Sequence, residues 1–88
     1  MRYSVIINAA AQRGINGLPR KIADVVLHFV YNSLAQRPYQ VGKPLRWEWE
    51  GYYAARRGTY RIVYAIDNEQ VVVTVVKVAG RAGVYRSR

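Results

Sequence analysis

The chain has no cysteine, a single histidine (His28) and only five acidic residues among 88. Without thiols there is no disulfide framework and no thiolate metal site, and one histidine cannot form a histidine cluster. No apolar run approaches the roughly 20 residues of a transmembrane span. The N-terminal stretch Met1-Arg2-Tyr3-Ser4-Val5-Ile6-Ile7-Asn8 is too short in its apolar part for a secretory signal. Repeats, low-complexity tracts and interdomain linkers are absent too. These absences lead us to expect a cytoplasmic, metal-independent protein of one domain, residues 1–88, with no cofactor and no membrane partner.

Positive charge is abundant. Fourteen Lys and Arg against five Asp and Glu give a formal net charge of +9, a field that attracts polyanions and speeds their association. Nucleic acid and acidic protein are the partners this favours; membrane attraction would need an apolar helix or a lysine-rich block, and the chain has neither. At 51% hydrophobic and 22% charged, the composition is that of a folded domain and unlike that of a disordered tail.

Periodicity organises the chain. Tyr3 to Ile7 is β-branched and apolar, the pattern of a first strand. Asn8 is placed to cap a helix running to about Arg13, which Gly14 and Asn16-Gly17 interrupt. Pro19 suits the first turn of a second helix, in which Ile22, Val25, Val26, Phe29, Val30 and Leu34 make one apolar stripe. An extended loop follows over 37–44, punctuated by Pro38, Gly42 and Pro44. Three strands are expected over 51–57, 60–67 and 70–79, the last two joined by an Asp67-Asn68-Glu69 turn that sets Arg61 near Val76. The valine run 71–73 and 75–76 reads as a central strand covered on both faces. The expected fold is α+β, a small antiparallel sheet with two N-terminal helices packed on it.

The most informative segment is Arg56-Arg57-Gly58-Thr59-Tyr60-Arg61, three guanidiniums in six positions leading into a strand. Arginine forks bind phosphate bidentately and keep their charge at any biological pH, so fixing several on a strand and its turn builds a rigid anion site. Alone, Arg61 reads equally well as an ordinary exposed strand residue; the crowding of Arg56 and Arg57 beside it favours an anionic ligand. The C-terminal stretch adds Arg81, Tyr85, Arg86 and Arg88. Tyr85 suits base stacking or proton exchange as well as it suits a core aromatic. Lys43 and Arg46 supply general attraction. Trp47 and Trp49, at period two around Glu48, fit a strand face or a cover for the helix pair better than a base-stacking role. His28, mid-helix, reads as a satisfied polar residue rather than a base.

Gly42-Lys43-Pro44-Leu45, then the stretch from Glu50 through Arg56-Arg57-Gly58-Thr59-Tyr60-Arg61 to Tyr64, and finally Arg81-Ala82-Gly83-Val84-Tyr85-Arg86, resemble the RelE branch of the RelE/ParE toxin superfamily. The resemblance covers nearly the whole chain. It implies a small basic toxin of a type II toxin–antitoxin module that acts on the ribosome and cleaves messenger RNA in the A site without metal, and that is neutralised by a RelB-like antitoxin. By position, it implies catalytic roles for Arg61, Arg81 and Tyr85, and RNA binding by Lys43, Arg46, Arg56, Arg57 and Arg86. The chain departs from the family pattern where some members carry lysines, two and four positions before Arg56, having Ala54 and Tyr52 there; Gly80 stands where many have histidine. The general base is thus unassigned. Two alternatives remain open: a ParE-like gyrase inhibitor without nuclease activity, and a degenerate toxin that only binds RNA.

Overall fold

The structure is a computed structural model that describes residues 2–80. Strand β1 (Ser4–Ile7) leads into helix α1 (Ala9–Asn16). As expected, Asn8 caps it, its side-chain oxygen accepting the Ala11 N–H at 2.8 Å. Gly14 does not interrupt the helix. A Cβ there would collide with the Val78 carbonyl oxygen, so the glycine read as a breaker is a spacer that lets α1 lie close on the sheet.

Helix α2 (Arg20–Phe29) follows Pro19 and continues into a π-helical turn, Val30–Leu34. Val26, Val30 and Leu34 are fully buried, while Val25, expected in the same stripe, is 46% exposed. The expected loop at 37–44 contains a short helix α3 (Pro38–Val41), with Pro38 in the first turn where its missing N–H has no cost, and a two-residue edge strand β2 (Lys43–Pro44). Three longer strands complete the chain: β3 (Tyr53–Arg57), β4 (Tyr60–Asp67) and β5 (Val72–Gly80).

The five strands lie in the order β1-β5-β4-β3-β2. Strands β2 to β5 are antiparallel to their neighbours, but β1 runs parallel to β5, so the sheet is mixed. The chain between these two parallel strands, residues 8–71, begins with α1, which packs against β5, and includes every other element of the fold. Strand β5 buries Val73, Val75 and Val78, with Thr74, Val76 and Lys77 half-buried between them; among the described residues, its valine run alternates between buried and half-buried positions and is not buried on both faces.

Tyr64 anchors the core. Its ring is fully buried and stacks on Tyr53 at 5.8 Å between centroids, and its hydroxyl donates to the Pro38 carbonyl at 2.6 Å. Burial, with Tyr53 beside it, pushes the hydroxyl's pKa well above its ordinary value. Gly42 passes directly over this hydroxyl, and a Cβ there would land on it and lie 2.8 Å from the Ala54 carbonyl. The tyrosine thereby ties α3 and β2 to the sheet. Among the described residues, no helix is long and apolar enough to cross a membrane.

Candidate nucleic-acid interface

The β3–β4 hairpin closes through Gly58 and Thr59, with Gly58 at φ 63° as the first central residue, the position that a type II′ turn reserves for glycine. This turn fixes the register: Arg56 lies directly opposite Arg61. Directly opposed residues of an antiparallel pair project to the same face. Lys43 is opposite Ala54, two residues before Arg56, and Lys77 is opposite Val63, two residues after Arg61. The period of two therefore gathers Lys43, Arg56, Arg61 and Lys77 on one face.

A cleft of about 400 Å³ opens at the β2 side of this face, lined among others by Gly42, Lys43, Leu45, Ala54, Arg56 and Arg61. Lys43 and Arg56 are exposed and Arg61 is half-buried. Like charges directly opposite repel, and guanidiniums held that way concentrate positive potential where a phosphate can sit between them. Ala54, with its short side chain, leaves room in the cleft between Lys43 and Arg56.

The structure separates the arginine triplet. Arg57 alternates with Arg56 and projects to the helical face, its guanidinium 5.8 Å from the centre of the Phe29 ring, and it lines grooves beside α2 with Val25. It is not part of the cleft. Arg46 is exposed and immediately follows Leu45 of the cleft. Arg81, Tyr85 and Arg86 lie outside the described residues. Strand β5 ends at Gly80, opposite Tyr60, and Arg61 faces Ala79, not Val76. The shift arises from a four-residue connection, 68–71, with Val71 at φ 57°, and from an irregularity at Val63/Tyr64.

Sequence reasoning missed Lys77. Its signal was a lone cation in a valine run, but only the register tells which face it joins. The tryptophans are corrected as well: Trp47–Trp49 is a 3-10 turn, neither a strand nor a cover for the helices, with Trp47 86% exposed. His28 is exposed on α2, near Asn32.

A family model described as the ParE toxin of type II toxin–antitoxin systems matches residues 5–85. The chain belongs to the RelE/ParE toxin superfamily. Among similar proteins are the toxin RelG of Mycobacterium tuberculosis, 43% identical over 98% of this chain and 99% of its own length, and the toxin RelE of the same organism, 45% identical over 96% and 87%. A chain of the crystal structure of the M. tuberculosis toxin–antitoxin complex RelBE2 superposes with a TM-score of 0.90 at 41% identity, covering 93% of this toxin and 94% of that chain. The isolated Escherichia coli RelE toxin, at 20% identity and TM-score 0.73 over 98% and 88%, shares the fold.

Proposed function

We propose that this toxin is a ribosome-dependent endoribonuclease that cleaves messenger RNA in the A site and so stops translation. The observation that carries the reading is the Arg56–Arg61 pair, set face to face by the hairpin and joined by Lys43 around one cleft. The kinship with RelE and RelG toxins supports it.

The ribose 2′-hydroxyl attacks the adjacent phosphate; the new O2′–P bond forms as the P–O5′ bond breaks, and a proton passes from the 2′-oxygen to a base and another to the leaving 5′-oxygen. Negative charge grows on the phosphoryl oxygens and on the 5′-oxygen. Arg61 and Arg81 donate to that charge, which stabilises the transition state more than the ground state. Arg56, Lys43 and Lys77 hold flanking phosphates, bringing the 2′-oxygen in line. Tyr85 stacks on a base or exchanges a proton. The chemistry needs no metal, and the toxin works in the cytoplasm, held in check by a RelB-like antitoxin, as the RelBE2 complex suggests.

The matching family description also keeps a second reading in play, inhibition of gyrase without cleavage. Primer extension on a translated message after induction separates the two. Cuts that vanish when initiation on that message is blocked are expected; intact message with a DNA-damage response would establish the gyrase reading instead.

A further inference from the structure

Trp47 stands apart from the rest of the molecule. The indole is 86% exposed, and its backbone sits at φ 61°, a region that a bulky L-residue seldom occupies. Neither feature helps the fold: the ring adds little to the core, and the left-handed backbone opposes stability. Strain of this kind persists where the surroundings over-determine it, and it concentrates at ligand-binding positions.

The surroundings here are rigid. The Trp49 N–H donates to the Arg46 carbonyl at 3.1 Å, the Glu50 N–H to the Trp47 carbonyl at 3.0 Å and the Tyr52 N–H to the Trp49 carbonyl at 3.0 Å. Leu45 N–H to the Tyr52 carbonyl, 2.9 Å, closes the base of the loop. Trp49 is braced edge-on against Tyr52. The result is a hydrogen-bonded knob presenting one indole to solvent.

Its location identifies the occupant. Leu45, two residues before Trp47, lines the cationic cleft, so the two Cα atoms are at most about 7 Å apart. Exposed Arg46 precedes the indole on the side of the cleft residue Leu45, and exposed Glu48 and Glu50 follow it; the carboxylates keep a phosphate backbone from continuing past the knob, while Arg46 leaves the cleft side open to it. The indole adds an uncharged π-face, which suits a base and not a phosphate. The geometry points to Trp47 as a stacking platform for an unpaired nucleobase whose flanking phosphates lie in the Lys43–Arg56–Arg61 cleft. This rests on the RNA reading above and adds a base contact outside the phosphate cleft.

Trp47→Gly is the decisive variant, because glycine suits the positive φ. A residue kept for structure would lose stability on this change. Trp47→Gly is expected to melt at or above the wild-type temperature while binding programmed ribosomes about 5- to 150-fold more weakly, the range of one base–aromatic stack. Trp47→Phe should recover most of the affinity and Trp47→Leu little. In a Trp49→Phe background, the remaining indole fluorescence should be quenched by a short unstructured RNA oligonucleotide.

Wild-type affinity in Trp47→Gly, or equal rescue by Leu and Phe, would overturn the proposal. So would a loss seen only in antitoxin binding, which would make the knob a protein contact. Arg56→Ala supplies the control: if it weakens ribosome binding while Trp47→Gly does not, the platform falls and the RNA reading stands. If the wild-type protein binds neither ribosome nor oligonucleotide, both fall.

Discussion

Single atoms decide several positions in this small fold. At Gly14, alanine would ordinarily favour a helix by about 1 kcal/mol, yet its Cβ would meet the Val78 carbonyl. Steric displacement in a packed interior costs about 1 to 3 kcal/mol, so the clash wins and Gly14→Ala should lower the melting temperature by several degrees. Tyr64→Phe leaves the Pro38 carbonyl without its 2.6 Å donor, a loss of about 1 to 3 kcal/mol for a buried group. The same hydroxyl gives a pH signature. Its folded pKa is raised above the ordinary 10.0, so the stabilisation is complete below that value and declines as pH rises above it. Urea midpoints measured from neutral pH upward should show a smaller alkaline decline in Tyr64→Phe than in the wild type; parallel curves would mean that the buried hydroxyl does not set the slope.

At the level of elements, the sequence was most legible where period and cap agree. Tyr60, Ile62, Tyr64 and Ile66 recur at period two and Tyr60–Asp67 forms the strand that the pattern predicts, and Asn8 caps the helix it precedes. Legibility failed where a residue's role depends on a partner far along the chain. Gly14 reads as a breaker until β5 is beside it, and the proline-punctuated stretch at 37–44 reads as a loop until Tyr64 supplies the bond that holds α3. Register was lost for a similar reason: Val71 at φ 57° lengthens the β4–β5 connection, a conformation that no propensity assigns to a β-branched residue. The arginine cluster shows the same limit within one strand. Composition counts Arg56 and Arg57 together, whereas the pleat sends them to opposite faces. Arg56→Ala should therefore weaken ribosome binding by about 10- to 150-fold, as for one charged hydrogen bond of about 1.5 to 3 kcal/mol, while Arg57→Ala should leave it within about twofold. Equal losses would mean that the RNA wraps the hairpin and that one face does not bind alone.

The whole molecule carries a net charge of +9, and the question at this scale is how much of its affinity for RNA comes from that field and how much from placed cations. A diffuse field responds to salt without regard to which cation is removed. Cations placed against phosphates release counterions site by site, so the slope of log affinity against log salt falls by about 0.7 for each single-strand phosphate that is no longer neutralised. Lys43, Arg56, Arg61 and Lys77 share one face of the sheet, and Lys21 and Arg20 lie on exposed positions of α2. Lys77→Ala should flatten the salt slope on programmed ribosomes by about 0.7, and Lys77→Ala combined with Lys43→Ala by about 1.4, whereas Arg20→Ala with Lys21→Ala removes the same two charges from the other layer and should leave the slope nearly as it was. Antitoxin association, steered by the same field, should slow as salt rises in all of these proteins. If the helical pair and the sheet pair flatten the ribosome slope equally, net charge alone drives binding and the cationic face has no special claim on the RNA.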